Sequence, residues 1–278
     1  AGAALHADAA AAGPGGTAVV WADGRTDFAG RISARGGAGG GDGGFVETSG
    51  GSVLSVADTA VVDTRAPQGR TGTWLLDPRN ITVSFAGTAG LDDVAAFATS
   101  PSTDRTIAAS TINAATSNIT LQANTDITVN APISLSNAGI GLTMNAGRSI
   151  VLNQNVTTNG GGFTATINDA GASAADRIAG QAAFTMQAGR SIATGGGAVQ
   201  ISSGSFGGGG VTYVGDMTIR NVSTSGGAVT ISNQVGDIRG NPDIATGGGA
   251  ISLTSFNQQL GDLTTTGTVS LTGTGAGT

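Results

Sequence analysis

The stretch that decides the fold is Gly160-Gly161-Gly162-Phe163-Thr164-Ala165-Thr166-Ile167, a glycine-rich turn followed by a short alternating strand. The same couplet of turn and strand returns at 195–201, 226–231, 247–253 and 266–271. Apolar and polar residues alternate in each copy, which is the period of a β-strand with one buried face. Repeated strands separated by glycine are typical of a solenoid whose coils stack on one another. The sequence therefore predicts an all-β solenoid rather than a globular fold.

Composition supports an ordered but unusual chain of 278 residues. Glycine contributes 49 residues and charged residues only 11%, yet 39% of the chain is apolar. Disordered chains usually combine low hydrophobicity with high net charge, so this composition argues against disorder. The chain also lacks cysteine, which excludes disulfides, thiolate metal sites and cysteine nucleophiles.

The charged residues are restricted in kind and narrow the range of partners. All 12 basic residues are arginine, and Glu47 is the only glutamate among the 18 acids. A net charge of −6 argues against nucleic-acid binding, which requires a basic surface. No apolar run of about 18 residues is present, so we expect no membrane insertion by a helix. The first residues lack the basic and apolar regions of a signal peptide, and we expect a mature chain or a segment of a longer one.

Three sections follow one another along the predicted rod. Residues 1–87 form a first solenoid section, 88–117 an interruption, and 118–278 a second repeat section. The interruption has helical spacing from Leu91 to Ala98, which predicts a short helix or lateral loop. A recurring glycine, in Gly-Arg-Ser-Ile at 147–150 and 189–192 and again at Gly215, Gly236 and Gly261, indicates coils of about 20 residues. Some thirteen coils at about 4.8 Å each would make a rod on the order of 60 Å long.

The alternation also predicts which side chains are buried. Val, Ile and Leu should point inward in every strand, and Thr, Ser and Asn should point outward. Stability would then be close to a sum over neighbouring coils, since each coil contacts only the next.

Motifs between residues 17 and 82 resemble filamentous-haemagglutinin-like exoproteins of two-partner secretion systems in Gram-negative bacteria. They are Trp21-Ala22-Asp23-Gly24, Phe28, Gly30, Ile32, Ala34-Arg35-Gly36-Gly37, Gly41-Asp42-Gly43-Gly44-Phe45-Val46-Glu47, Ser49-Gly50, Gly69, Gly72-Thr73, Leu75-Leu76-Asp77-Pro78 and Asn80-Ile81-Thr82. The resemblance is specific over about a quarter of the chain and extends loosely to its end.

This resemblance implies a right-handed parallel β-helix, export through an outer-membrane partner, and a role in adhesion, aggregation or biofilm. Two departures from the family pattern are visible. The Asn-Pro-Asn-Gly type motif of the amino-terminal secretion domain is not in this sequence, so the chain is similar to a downstream segment. Trp74 also stands where an aliphatic residue is expected.

Residues that could carry chemistry are few, and each has a plainer explanation. The single histidine, His6, has no partner histidine and is expected to be an exposed surface residue. Carbohydrate-active β-helices need clustered acids, and the candidate groups are Asp23 with Asp27, Asp58 with Asp63, and Asp92-Asp93 near Arg105. Five of the 18 acids, Asp23, Asp42, Asp216, Asp237 and Asp262, lie beside glycine, as turn residues do.

Two further motifs point only weakly to ligands. Gly36 to Asp42 is similar to a calcium-binding nonapeptide turn, but Asp42 is one place out of register and no tandem copy follows. The Gly-Arg-Ser-Ile turns lack the helix and spacing of a phosphate loop, so a turn that holds Arg outward is the better interpretation. We therefore expect no catalytic, cofactor-binding or metal-binding residues and no cofactor.

The function expected from these observations is structural and adhesive, without enzymatic activity. The expected partners are copies of the chain stacked end to end, an outer-membrane secretion partner, and glycans or neighbouring cells, in an extracellular location. Two alternatives remain open at this point. The chain could be a polysaccharide-degrading β-helix enzyme, or an inert stalk that displays another domain.

Overall fold

The computed structural model describes residues 3–20, 25–48, 53–56, 60–76, 80–86, 104–172, 177–204 and 214–275. Every pair of named strands within these ranges is parallel, and nearly all partners lie one coil apart along the chain. The described residues contain 28 strands and one short helix. The chain is a parallel β-helix, which confirms the predicted fold class.

The strands form three faces of a prism, named here by their order within a coil. Face 1 is one ten-stranded sheet made of β2 (Thr17–Val20), β5 (Phe45–Thr48), β8 (Thr73–Leu76), β11 (Asn118–Ala123), β14 (Leu142–Ala146), β17 (Phe163–Ile167), β20 (Val199–Ser203), β23 (Val229–Asn233), β26 (Ile251–Ser255) and β28 (Val269–Gly273). All five strands of the opening couplets belong to this face.

Face 2 contains a two-stranded and a seven-stranded sheet. Its strands are β3 (Arg25–Phe28), β6 (Val53–Val56), β9 (Asn80–Ser84), β10 (Asp104–Ala108), β12 (Ile127–Val129), β15 (Ile150–Leu152), β18 (Ala182–Met186), β21 (Val214–Thr218) and β24 (Ile238–Arg239). β9 pairs with both β10 and β12, so the later strand β10 lies on the side of β9 that faces away from β12.

Face 3 contains a three-stranded and a six-stranded sheet. Its strands are β1 (Ala4–His6), β4 (Arg31–Ser33), β7 (Val61–Asp63), β13 (Ile133–Ser134), β16 (Val156–Thr157), β19 (Ser191–Ala193), β22 (Asn221–Ser223), β25 (Ile244–Gly247) and β27 (Leu263–Thr265).

The helix α1 (Ala109–Asn113) takes the place of a face 3 strand in its own coil. On one side Asn113 Oδ1 accepts the amide of Ser134 at 2.7 Å, and on the other the Thr116 hydroxyl donates to the Val62 carbonyl at 2.7 Å. α1 therefore bridges β7 and β13. It falls within the predicted interruption at 88–117, whereas the helical spacing at 91–98 lies outside the described residues.

Coil length varies more than the sequence suggests. Ile251 pairs with Val269 only 18 residues later, while Trp74 pairs with Ile119, 45 residues later. The described residues therefore give ten strands on face 1, fewer than the thirteen coils predicted from coils of roughly 20 residues with insertions. Insertions at the corners account for the difference.

The core is a set of stacked apolar rows, one coil upon the next. On face 1 the inward residues of five successive strands are at most 1% exposed: Leu142, Phe163, Val199, Val229 and Ile251. The outward residue that follows each of them in its strand carries a hydroxyl or an amide, as predicted. Burying a Val, Ile, Leu or Phe side chain contributes about 1.5–3 kcal/mol, so these rows stabilise the stack.

One class of threonine departs from the prediction that Thr points outward. These threonines stand at the corner before a glycine turn, are fully buried, and donate to the carbonyl three residues on: Thr158, Thr194, Thr224 and Thr246 to Gly161, Gly197, Gly227 and Gly249. A turn leaves carbonyls without ladder partners, and a local hydroxyl satisfies them. The period-two rule fails here because the chain turns.

Glycine in the couplet is required because successive coils approach closely. A Cβ at Gly197 would collide with the carbonyl of Gly161 in the preceding coil, and one at Gly227 with the carbonyl of Gly197. The register makes these glycines equivalent positions in the stack. The turn therefore excludes side chains at this position through contact between coils rather than through local flexibility.

The second recurring glycine does not mark one repeated position, which corrects the interpretation made from sequence. Ile150, Met217 and Ile238 follow three of these glycines and lie on face 2. Ile192 and Leu263 follow the other two and lie on face 3. The spacings between these glycines therefore mix two corners of the prism.

Trp74 fits the position where an aliphatic residue was expected. Its side chain is 4% exposed, and Nε1 donates to the Thr48 hydroxyl at 3.1 Å in the preceding coil. The small residues Ala114 and Ala115 after α1 line a cavity of about 290 Å³ beside the indole. A helical turn in place of a strand leaves room for the larger ring.

Candidate functional site

The outer surface of face 1 carries two straight rows of uncharged polar side chains. The strand registers align one row through Thr120, Thr143, Thr164, Gln200, Thr230, Ser252 and Ser270, and a second through Gln122, Asn145, Thr166, Ser202, Ser232, Thr254 and Thr272. Neighbours within a row are about 4.8 Å apart and the rows about 6.6–6.8 Å apart. We call this surface the polar rows; it spans seven coils without a charge.

The first and last described coils expose apolar residues whose equivalents in other coils are buried. On face 1, Val269 and Leu271 in β28 are 47% and 50% exposed, although their register partners Ile251 and Leu253 are at most 1% exposed. In the first coil, on face 3, Leu5 in β1 is 46% exposed and pairs with the buried Ile32. Within the described residues β28 and β1 each pair with a single strand, which leaves one edge of each as a template for adding another strand.

His6 lies in a small hydrogen-bonded group that lacks catalytic geometry. His6 Nδ1 is 2.8 Å from the Ser33 hydroxyl, which donates to Asp8 Oδ2 at 2.8 Å. Because the acid accepts from the serine, the serine proton is not directed at the imidazole, as nucleophilic catalysis requires. Ser33 is also only 4% exposed. The group joins β1 and its continuation to β4.

Among the acid pairs suggested by sequence, the described member is Asp63, which is buried and paired with arginine. Arg65 donates to its two oxygens at 2.9 and 2.7 Å, and Arg35 lies 3.8 Å away. Burial by itself raises the pKa of Asp63, but the hydrogen bonds and charges of the arginines outweigh it and hold that pKa below its ordinary value. Asp23, Asp58, Asp92 and Asp93 and the side chain of Asp27 lie outside the described residues.

Asp42, the acid of the glycine-rich turn at 36–42, binds an arginine. Its Oδ1 accepts the backbone amide of Arg70 at 2.9 Å, and its Oδ2 lies 3.0 Å from the guanidinium. These hydrogen bonds, the backbone one foremost, lower the pKa of Asp42. In the part of the chain that the structure describes, no three His, Asp or Glu side chains come together as a metal site.

The arginine of the first Gly-Arg-Ser-Ile turn packs against the rod and is mostly shielded from solvent. Arg148 forms an ion pair with Asp126 at 2.5 Å, and both side chains are about three-quarters buried. The hydrogen bond to Asp126 raises the pKa of Arg148 despite its burial. Arg148 also donates to the carbonyl of Ala179 at 3.2 Å, so it fastens the corner insertion onto the rod.

Sequence reasoning missed a bridging role of the corner aspartates. In six places within the described ranges a carboxylate accepts the backbone N–H of a residue in the next coil, at 2.7–3.1 Å: Asp8 from Arg35, Asp42 from Arg70, Asp126 from Ser149, Asp216 from Asp237, Asp237 from Asn257, and Asp243 from Asp262. Corner amides fall outside the strand ladder and need another acceptor. For Asp42, Asp216 and Asp237 the Gly-Asp pair in the sequence was the available signal, although it indicated only a turn.

Comparisons with known proteins leave the geometry as the main guide to function. No protein-family model matches the chain, and no curated protein sequence matches it either. Within the described ranges, no helix has the length and apolar character needed to cross a bilayer.

Proposed function

We propose that this chain is a secreted structural and adhesive β-solenoid of a Gram-negative bacterial surface, without enzymatic activity. Under this proposal it is a filamentous-haemagglutinin-like exoprotein segment, exported through an outer-membrane partner. The motifs at 17–82 support the family, and the polar rows support adhesion. The observation that carries the proposal is the length of these rows, which repeat one uncharged surface over seven coils.

Adhesion by such a surface depends on many weak contacts. Each hydroxyl or amide of the polar rows offers one hydrogen bond to a glycan or a neighbouring cell, and a single contact binds weakly. A rigid rod presents them together, so their effects combine as in a multivalent ligand. Asp63, the described acid among the candidates for catalysis, is held in ion pairs with Arg65 and Arg35, which favours a binding role over a hydrolytic one.

The ends of the rod support a further part of the proposal, in which copies stack head to tail. β2 and β28 are the two edge strands of the face 1 sheet, and they run in the same direction. The β28 strand of one copy would therefore pair in parallel with the β2 strand of the next copy. Val269 and Leu271 at one end would cover Ala18 and Val20 at the other, which are only partly buried. A head-to-tail contact leaves both outer ends free, so it would build a filament rather than a closed dimer.

Cell-sized beads coated with the chain test adhesion. We expect coated beads to aggregate bacteria or bind a glycan-bearing cell surface, and the variant Thr230→Asp with Ser252→Asp, which places charges in the polar rows, to bind less. If beads coated with the unmodified chain bind no better than uncoated beads, the adhesive function is contradicted.

Sedimentation velocity over a rising concentration series tests stacking. We expect assemblies that grow with concentration, and we expect Leu271→Asp to abolish them because it charges the inward row. Thr272→Asp is the matched control, since it lies next in sequence but points outward. Equal assembly of both variants would contradict stacking through the apolar end.

A further inference from the structure

A groove runs along the rod axis on face 1, where the strands begin. It consists of two overlapping depressions of about 510 and 550 Å³ that share Arg70, Thr71, Thr73 and Asn118. Together they extend from Thr17 in β2 to Thr164 in β17. Six strands at a spacing of about 4.8 Å give the groove a length of about 24 Å. Such a length fits an extended chain better than a compact ligand.

The floor of the groove follows one column of outward positions through the stack. Register places in this column Thr17, Phe45, Thr73, Asn118, Gly141 and Gly162, followed outside the groove by Ala198, Ala228, Ala250 and Thr268. Glycine therefore occupies this column in two coils within the groove, and alanine or threonine takes the same position in the four coils beyond it.

The glycines at 141 and 162 are not needed by the backbone. Neither has a positive φ. A Cβ at Gly141 would meet its nearest atom, Asn118 Oδ1, at 3.4 Å, which is ordinary contact, and one at Gly162 would meet the Ala198 carbonyl oxygen at 3.3 Å, which a shift of a few tenths of an ångström would relieve. Glycine within a strand is less stable than alanine by roughly 0.5–1 kcal/mol. What these two glycines provide is open space on the floor of the groove.

Asn118 keeps the floor open in a second way. Its side-chain amide donates to the Thr71 carbonyl at 2.9 Å, and its Oδ1 accepts the amide of Gly141 at 2.7 Å. These two bonds hold the side chain against the backbone of the neighbouring segments. The largest polar side chain of the column is thus tied down.

The chemistry of the groove is polar and uncharged overall. Hydroxyl groups of Thr73, Thr120, Thr143 and Thr164 line it, and Phe45 adds an apolar, half-buried surface. Among its lining residues the charged side chains are Asp42 and Arg70, which neutralise each other at 3.0 Å. A ligand with many hydroxyls, apolar ring faces and no charge matches this surface.

We propose that this groove binds a single extended strand of a neutral polysaccharide. The inference rests on the proposed adhesive function and assigns it a specific site and ligand class. Threonine hydroxyls would hydrogen-bond the sugar hydroxyls along the strand, and Phe45 would contact a sugar ring face. Open space at Gly141 and Gly162 would admit the sugars most closely to the sheet.

Affinity electrophoresis with three soluble neutral polysaccharides, dextran, a linear β-glucan and a mannan, tests the site. We expect the unmodified chain to be retarded by at least one of them. The double variant Gly141→Thr with Gly162→Thr should weaken that binding tenfold or more, because its side chains fill the floor. Gly141→Ala with Gly162→Ala should weaken it less while keeping the fold intact.

The matched control is Ala198→Thr with Ala228→Thr, which places the same side chains in the same column outside the groove. Thermal unfolding of all variants separates lost binding from lost structure. Equal binding by the folded groove variant and the control would overturn the assignment of the site to the groove. Stronger retardation by the polyanion polygalacturonate than by the neutral polysaccharides would overturn the assignment of a neutral ligand. Lack of binding to all three neutral polysaccharides would overturn the ligand class, while the bead and sedimentation experiments would still decide the adhesive function.

Discussion

Gly161 and Gly197 occupy equivalent positions in successive coils, and the carbonyl oxygen of Gly161 fills the space that a Cβ of Gly197 would need. The contact is between two backbones, so neither side can move without disturbing the hydrogen bonds of its own coil. This relationship explains why a glycine turn precedes each couplet strand and why the coils pack so closely at that corner.

The first prediction concerns this contact. Gly197→Ala should destabilise the chain by roughly 1–3 kcal/mol, the range for overpacked sites. Gly141→Ala is the control, since its Cβ would lie 3.4 Å from its nearest neighbour, the Asn118 side-chain oxygen, and its effect should be neutral or slightly stabilising. Chemical denaturation measures both, and equal effects of the two substitutions would contradict the steric argument.

A second prediction concerns the inward rows. Ile201 is fully buried in β20, and Ile201→Asp would place an unpaired charge in the core. We expect several kcal/mol of destabilisation, because the desolvated carboxylate has no partner. Hydrogen exchange should show lost protection in β17, β20 and β23 first, since coils contact only their neighbours. Gln200→Asp, on the exposed side of the same strand, should leave protection unchanged; a comparable loss in that variant would count against the assigned orientation.

The third prediction uses the lowered pKa of Asp63. A depressed folded-state pKa gives stability that is present above the ordinary value of 3.8 and is lost as pH falls through the folded value. Asp63→Asn should therefore be less stable than the unmodified chain at pH 7, by about 1.5–3 kcal/mol for charged hydrogen bonds. The difference should shrink as the pH is lowered below 3.8. Unfolding curves between pH 7 and pH 2 measure it, and a difference that does not change with pH would disprove the ionic origin.

The fourth prediction concerns the bond from Trp74 to Thr48. Thr48→Val leaves the buried indole N–H without its acceptor and should cost about 1–3 kcal/mol. In the background Trp74→Phe, the same Thr48→Val change should cost much less, because no indole donor remains. The double-mutant cycle isolates the pair, and a coupling energy near zero would show that the bond does not stabilise the fold.

The sequence was sufficient for features that depend on a single strand and its turn. Alternation placed β17, β20, β23, β26 and β28 correctly, because side-chain period and the glycine turn are local properties. The predicted outward direction failed for Thr194 and its equivalents, since a buried hydroxyl satisfies a turn carbonyl that the strand pattern does not reveal. The ion pair of Arg148 was likewise missed, because its partner Asp126 lies in the preceding coil.

By itself, then, the sequence determined that this chain is an all-β solenoid with apolar rows inside, because periodicity alone decides which residues each strand can bury. Only the tertiary structure decided which residues stack. It separated the recurring glycines onto two faces, joined Asp216 to Asp237 across coils, and aligned Gly141 and Gly162 on the floor of a groove. Those relationships depend on corner insertions of unequal length. Because each insertion shifts the register of everything after it, spacing along the chain cannot give the alignment between coils.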